Sequence, residues 1–288
     1  MINLRYHVIS LAAVLFALGA GIALGAGALR GADDPTEETS STVQQITPAL
    51  AGFDAGYATA TAPALLSGKL KDQTVLLLTL PTARQSEVSS LVENLTLAGA
   101  KVGGKVGLTT KLLSPSNRKF VEGVATQSNP TGATDSSDYE QVGAAIARGY
   151  LAKTAVEPDD TARTIRAAFV EGGLLKVDED PQTQSQLVLL VAGVPSSGSA
   201  GENTVVAGMI GGLDSGALGT AVVGPVPAGE SGVVKAVRES DAAGSVSTLD
   251  VTDTGTGRVA AVLALIEDLA GDPGSWGTSN SADGPFPS

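Results

Sequence analysis

The run TVLLLTL, at Thr74–Leu80, is apolar without the alternation of a half-buried strand. Continuous runs of this length, rich in Leu and Val, are typical of strands that helices cover on both faces of a parallel sheet. A second such run, QLVLLVA, occupies Gln186–Ala192 in the other half of the chain. The two runs therefore predict a sheet that is buried on both sides.

Helical patterns alternate with shorter strand patterns around these two runs. Ser86–Ala98 places Val88, Leu91 and Leu95 on one helical face and is followed by Gly99, a typical helix stop. Further strands are predicted at Lys101–Leu108, Leu174–Val177, Thr220–Gly224 and Ser245–Leu249, and helices at 138–153, Asp159–Glu171, Thr204–Leu213, Gly229–Arg238 and Gly257–Ala270. We therefore expect an α/β domain over residues 69–271, a Rossmann-like or flavodoxin-like sandwich with a mostly parallel sheet.

Two segments carry no such pattern. Residues 113–137, with Pro115 and Pro130, are predicted to be irregular. The tail from Asp272 to Ser288 is rich in Gly, Ser, Asn and Pro, a composition that predicts disorder.

The charge of the chain is acidic, with 18 Lys and Arg against 30 Asp and Glu. Beyond residue 30 the balance is 16 basic against 30 acidic residues. A general basic surface for nucleic acid or anionic lipid is therefore excluded, and nucleic acid is not an expected partner.

The residues that usually carry chemistry are scarce. His7 is the only histidine, and cysteine is absent. This excludes Ser-His-Asp catalysis and Cys/His zinc sites in the domain. The run from Gly193 to Gly198 has the spacing of a phosphate loop but lacks the lysine that reaches the phosphates. We expect no enzyme activity, no catalytic or metal-ligating residues and no cofactor; the remaining alternative is an enzyme that uses only carboxylates.

The acidic residues that stand together are expected to be solvated turns. Asp159 and Asp160 are adjacent, and Asp178, Glu179 and Asp180 form a second group that can at most bind a hard cation weakly. Asp250 and Asp253 are predicted to serve as turn and cap residues before the last helix.

The first thirty residues predict a membrane anchor. No charged residue occurs in the 22 positions from Val8 to Leu29, and about 20 apolar residues span a bilayer as a helix. The amino terminus and Arg5 precede the run, and Arg30 followed by an acidic cluster closes it, which favours an N-terminus on the cytoplasmic side and an exported domain. The alternative is a cleavable signal peptide, whose apolar core is usually about 7–15 residues long.

Two spacings indicate self-association. Small residues that fall four apart let membrane helices approach closely, and they stand at Ala13, Ala17, Gly21 and Gly25. Within the predicted stalk, residues 31–68, a heptad seam of apolar residues predicts a short coiled-coil helix kinked at Pro48: Val43, Ile46, Leu50, Phe53 and Tyr57. The alternative is a flexible stalk whose few apolar residues pack on the domain.

Both ends of the chain resemble one family. The start, M-I-x-L-R-x-H-x-x-S-L-A-A-V from Met1 to Val14, leads into Ala17, Gly21, Leu24 and Gly25. The matching segments near the C-terminus are Ser247–Asp250, Gly257–Val259, Val262–Leu265, Asp268–Leu269 and Trp276–Thr278. These motifs are similar to those of the actinobacterial copper transporter family (MctB family, SteB-like proteins), and the order of strands and helices between them agrees. Residues 31–68 depart from the family, because its members usually carry a longer charged coiled coil there.

The resemblance implies copper efflux across the envelope, with an outer-membrane location, or a role in envelope integrity and cell separation beside a SteA-like membrane protein. The residues weigh against a copper site in one chain, because copper(I) prefers thiolate, thioether and imidazole ligands and Met209 is the only methionine beyond the initiator. A single apolar helix cannot form a pore by itself. We therefore expect a single-pass cell-membrane protein that works through protein contacts, as a homo-oligomer or with a membrane-protein partner.

Overall fold

The computed structural model describes residues 48–129 and 138–287. The chain divides between Leu50 and Ala51, and the second unit contains the whole sheet. The helices are α1 Pro48–Leu66, α2 Gln85–Leu97, α3 Thr110–Leu113, α4 Arg118–Ser128, α5 Asp138–Tyr150, α6 Asp160–Glu171, α7 Ala200–Gly216, α8 Val226–Ser231, α9 Val233–Arg238 and α10 Gly255–Ala270. The strands are β1 Thr74–Thr79, β2 Lys101–Leu108, β3 Leu175–Glu179, β4 Leu187–Val191, β5 Gly219–Val223, β6 Ser247–Leu249 and β7 Ser275–Trp276.

The seven strands form one sheet in the order β3-β2-β1-β4-β5-β6-β7. All neighbouring pairs are parallel except β2 and β3, which are antiparallel. The first six strands, in the order 3-2-1-4-5-6, have the arrangement of a Rossmann sheet, here with β3 reversed. The prediction of an α/β domain with a mostly parallel sheet is confirmed.

Both apolar runs of the sequence lie at the centre of the sheet. Strands β1 and β4 pair directly, with Leu77 opposite Leu189. Leu76 and Leu78 point to one face, where they pack with α5, α6 and α7, and Val75 and Leu77 point to the other, where they pack with α1, α2 and α10. Because side chains alternate along a strand, an apolar run in this position supplies both cores at once.

The start of the domain differs from the predicted boundary at residue 69. Ala58, Ala62 and Leu66 of α1 are buried in the same core as β1 and α10. Pro48 is the first described residue of α1, and the proline inside this helix is Pro63. The predicted kink at Pro48 involves the residues before it, which lie outside the described residues, and most of the described stalk belongs to the folded domain.

The segment from 113 to 129 also differs from the prediction of irregular structure. Pro115 opens a short 3₁₀ turn, and α4 follows with Val121 and Ala125 buried. Only Val121 and Ala125 of the apolar residues of α4 are buried, while Phe120 is exposed, so the sequence pattern of the packed face is weak.

The tail is ordered in the structure, against the predicted disorder of residues 272–288. Strand β7 pairs with β6, so that Thr248 lies opposite Ser275 and Leu249 opposite Trp276. The compositional argument did not account for buried polar partners elsewhere in the chain, which are described below.

The predicted anchor, Val8–Leu29, and the residues Ala13, Ala17, Gly21, Gly25, Val43 and Ile46 lie outside the described residues. Across 48–129 and 138–287, no helix has the length and apolar character that crossing a membrane requires.

Candidate association face and buried polar sites

Helix α1 presents an apolar face to solvent. The exposed fractions are 59% for Leu50, 73% for Phe53 and 55% for Tyr57. The rings of Phe53 and Tyr57 stack with centroids 6.5 Å apart. We call Phe53 and Tyr57 the aromatic face of α1. Leu50, Phe53 and Tyr57 are the described part of the predicted heptad seam, and exposed aromatic side chains that occur together, such as Phe53 and Tyr57, are typical of interaction sites.

The opposite side of α1 is held on the domain by Asp54. Its carboxylate accepts hydrogen bonds from the backbone N–H of Gly255, from the backbone N–H of Thr256 at 3.2 Å and from the Thr256 hydroxyl at 2.5 Å. These groups form the first turn of α10, where a negative charge is favourable. A β-carbon on Gly255 would lie 2.9 Å from the Cα of Ala55, so glycine is required for this close approach. The aromatic face is therefore carried by a helix with a fixed orientation on the domain.

The described residues offer little to copper. Met209, in α7, is completely buried in the core between helices and sheet. Among the described residues no group of three or more His, Cys, Asp or Glu side chains is placed to hold a metal ion.

The two acidic groups of the sequence are engaged in ion pairs. Asp159 and Asp160 pair with Arg148 at 2.5 Å and Arg163 at 2.7 Å. The Arg148 guanidinium lowers the pKa of Asp159, with help from the backbone N–H of Ala162.

The second group pairs with lysines of β2 and β3. Asp178 pairs with Lys176 at 2.7 Å, and Glu179 pairs with Lys105 at 3.5 Å. Asp159, Asp160, Asp178 and Glu179 thus pair with four separate cations and do not share one centre.

A buried ion pair lies beyond the carboxyl end of β6. The Arg238 guanidinium, at the end of α9, donates to the Asp250 carboxylate at 2.6 Å, and the two side chains are 3% and 0% exposed. Arg238 also donates to the Thr248 hydroxyl at 2.8 Å and to the Trp276 carbonyl at 2.6 Å. Apart from the bond to Asp250, the hydrogen bonds of Arg238 named here are with β6 and with the tail.

The tail supplies the remaining partners of this pair. Asp250 accepts from the backbone N–H of Thr278 at 2.7 Å and from the Ser279 hydroxyl at 2.6 Å. The Ser279 and Ser281 hydroxyls accept from Arg238 at 2.8 and 3.0 Å. The predicted capping role of Asp250 and Asp253 is replaced by that of Thr254, whose hydroxyl accepts from the N–H of Gly257 at 2.9 Å. The sequence held no signal for the pairing of Arg238 with Asp250.

A second buried carboxylate, Asp268 of α10, lies at the amino ends of two strands. It accepts the backbone N–H of Thr220 at 2.8 Å and of Ser247 at 2.6 Å. Burial raises the pKa of Asp268 to about 6, although these hydrogen bonds oppose the rise. Asp268 therefore has a structural role, because it satisfies two buried backbone N–H groups at the start of β5 and β6.

The comparisons with known proteins cover the whole chain. The family profile described as "Copper transport outer membrane protein, MctB" matches residues 1–287. The protein named "Copper transporter MctB" of Mycobacterium bovis is 25% identical over 311 aligned positions, which cover 98% of each chain. The protein of the same name from Mycobacterium tuberculosis matches equally well.

Proposed function

This chain belongs to the MctB family, and we propose that it takes part in copper transport at the cell envelope as a membrane-tethered protein that works through assembly with other chains. The proposal has two parts. The copper-related role follows from the family, and the mode of action follows from the chemistry of the described residues.

The observation that carries the mode of action is the aromatic face of α1. Phe53 and Tyr57 are each more than half exposed. Their contact with water is unfavourable by roughly 25 cal/mol for each Å² of apolar surface. A second copy with the same face removes this area from water, and a two-fold pair of identical surfaces is the commonest arrangement in oligomers. The heptad spacing continues upstream to Val43 and Ile46 and supports a second copy as the occupant.

The scarcity of copper-binding side chains supports a role in which one chain does not coordinate copper by itself. Copper(I) selects thiolate, thioether and imidazole ligands. Within the described residues the thioether of Met209 has no access to solvent, so its use would require the core to open. A copper path that is shared between several chains or with a partner protein is the arrangement we propose.

The proposed topology is a single pass through the cell membrane, with the N-terminus inside and the α/β domain outside. The uncharged run Val8–Leu29 supports it. The family description names the outer membrane, which is the alternative location. No enzymatic step forms part of this proposal.

The decisive experiment is complementation of a deletion strain, read out as cellular copper content. We expect deletion to raise copper content and sensitivity, and the full chain to restore both. The variant Phe53→Glu/Tyr57→Glu should fail to restore them, while Thr59→Glu, on the exposed side of the same helix but off the seam, should restore them. Unchanged copper content after deletion contradicts the copper role.

Fractionation of the tagged full chain between inner and outer membranes tests the topology. Recovery with the inner membrane is the expected result, and recovery with the outer membrane contradicts the single-pass cell-membrane topology. Conductance of the purified protein in a planar bilayer, if present, must require oligomers, because one apolar helix per chain cannot form a pore.

A second candidate function is regulation of envelope integrity and cell separation beside a SteA-like membrane protein. The burial of Met209 favours it, since a role without copper needs no accessible ligand. It predicts that deletion disturbs cell separation while copper content stays unchanged, and that mild-detergent capture of the full chain recovers a membrane-protein partner.

A further inference from the structure

The sheet contains a point where the direction of winding reverses. Helix α2, which follows β1, packs on one face of the sheet, and α7, which follows the neighbouring β4, packs on the other. The loops that leave β1 and β4 therefore diverge, and a crevice opens between them at the carboxyl ends of the strands. In open α/β sheets this is the usual position of a ligand.

The crevice of this chain holds a partly open cavity of about 130 Å³. The two loops touch below it, since Gly193 after β4 packs directly on Thr82 after β1. A β-carbon on Gly193 would lie 1.7 Å from the Thr82 carbonyl oxygen, and the Gly193 N–H donates to the Thr82 hydroxyl at 3.2 Å. For comparison, an engineered cavity of about 150 Å³ accepts benzene. The space therefore suits a ligand of about six non-hydrogen atoms or fewer.

The electrostatics of the lining select the charge of that ligand. Glu202, in the first turn of α7, lines the cavity, and none of the described lining residues is Lys, Arg or His. The N-terminus of α7 contributes about half a positive charge, which is less than the full negative charge of a carboxylate. The net potential is negative, so a phosphate or another anion is disfavoured although the Gly193–Gly198 loop has phosphate-loop spacing.

The remaining lining combines polar and apolar groups. Ser199 and Asn203 are buried and lie on the same side as Glu202, and the other walls include Val206 and Val233. The Asn203 amide nitrogen donates to the Ser231 carbonyl at 3.2 Å, so the oxygen of the same amide is the atom that would accept a hydrogen bond from a ligand. Carboxylate, hydroxyl and amide oxygens beside an aliphatic wall match an ammonium group on a short carbon chain.

We propose that this cavity is a binding site for a small primary alkylammonium group, with Glu202 as its counter-ion and Ser199 and Asn203 as further acceptors. A free small amine and the end of a lysine side chain from another protein share this chemistry. The site is separate from the aromatic face of α1 and does not depend on the copper role.

The test is a ligand-detected NMR titration of the full chain in detergent micelles, using n-butylammonium as the probe. 1-Butanol and butyrate serve as neutral and anionic probes of nearly the same shape. We expect n-butylammonium to bind at least about tenfold more tightly than 1-butanol, because a charge-assisted hydrogen bond is about twice as strong as a neutral one, and butyrate not to bind. Nα-acetyl-lysine methylamide as a fourth probe separates the two sources: tighter binding than n-butylammonium indicates a lysine side chain, and weaker binding a free amine.

Glu202→Gln keeps the shape of the side chain and removes its charge. It should abolish the preference for n-butylammonium over 1-butanol, whereas Glu171→Gln, on the exposed end of α6, should leave the preference intact. Equal binding of the cationic and neutral probes to the unaltered chain, an unchanged preference in Glu202→Gln, or the absence of binding by both ammonium probes each overturns the proposal.

Discussion

Arg238 donates to Asp250 across 2.6 Å in a position where neither side chain is more than 3% exposed. The guanidinium and the carboxylate have their other hydrogen bonds with β6 and the tail, so the pair fastens the last described residues of the chain to the sheet. A buried pair of this kind contributes less through its own attraction than through the penalty that follows when one member is lost.

The loss of one partner should destabilise the domain strongly. Arg238→Met or Asp250→Leu leaves a buried uncompensated charge, and we expect a loss of about 3–5 kcal/mol in the free energy of unfolding. Arg163→Met, which breaks an exposed pair with Asp160, should cost less than about 1 kcal/mol. The measurement is urea unfolding followed by the fluorescence of the single tryptophan, Trp276.

The double variant Arg238→Met/Asp250→Leu provides the control for this prediction. It should recover part of the stability, because apolar residues of similar size replace both charges. A double variant that loses the full sum of the single losses would contradict an interaction between the two residues.

Gly277 should not tolerate a side chain. Its φ is +139°, and a β-carbon there would lie 2.1 Å from Oδ1 of Asp250. We expect Gly277→Ala to cost about 2 kcal/mol or more and to expose Trp276, which a red shift of its emission would report. Gly244→Ala, with no atom within 4 Å of the added carbon, should be nearly neutral, and equal losses for the two variants would be the contrary result.

Asp268 should make stability depend on pH. Its pKa is about 6 in the folded chain and near 3.8 when unfolded, so the native state binds more protons between these values. The contribution of Asp268 to stability therefore falls as pH rises from about 4 to about 7, by about 1–3 kcal/mol.

Asp268→Asn isolates this effect. Between pH 4 and 7 the free energy of unfolding of the variant should depend less on pH than that of the unaltered chain, whatever the absolute stability of the variant. Parallel curves for Asp268→Asn and the unaltered chain, measured by urea unfolding at each pH, would exclude the assignment.

Cysteine scanning can test the aromatic face, because the chain has no native cysteine. We expect oxidation of membranes that carry Phe53→Cys to give covalent dimers, since two-fold packing brings equivalent seam residues within disulfide range. Thr59→Cys, off the seam, should give several-fold less. Equal yields on gels run without reductant would indicate random collision rather than a specific pair.

Met209→Leu tests whether the buried thioether takes part in copper handling. The swap conserves volume and should cost less than about 1.5 kcal/mol. We expect the variant to restore copper content in the deletion strain as well as the unaltered chain does. A folded variant that fails to restore it would identify Met209 as a ligand exposed by a conformational change.

The sequence was sufficient to predict those strands in which almost every residue is buried. Most residues of the runs Thr74–Leu80 and Gln186–Ala192 are apolar and buried, so strands β1 and β4 and the class of the sheet could be predicted. Helix α4 was missed because Val121 and Ala125 are its only buried apolar residues, and their face is defined by packing on α5 and α6.

The sites were harder to predict than the elements. Arg238 and Asp250 are 12 positions apart, and their other partners follow near residue 280, so neither composition nor periodicity relates them. The tail contacts this pair through Trp276, Thr278 and Ser279, and these contacts account for the order of a segment rich in Gly and Ser. The cavity beside Glu202 depends on strand order, which a list of predicted strands does not determine.

The clamp of Asp54 on the first turn of α10 has a consequence for how the domain comes apart. Asp54 reaches residues 255 and 256 from one end of the unit, and Thr278 reaches Asp250 from the other, so the short segment from Asp250 to the first turn of α10 holds both ends. Release of either end loosens the attachment of the other, and the termini should exchange amide protons and resist proteases together, without progressive fraying. A fragment that begins at residue 69 lacks Asp54 and should be less stable than the whole unit. A fragment that begins at Ala51 keeps the attachments made by Asp54 and by Thr278.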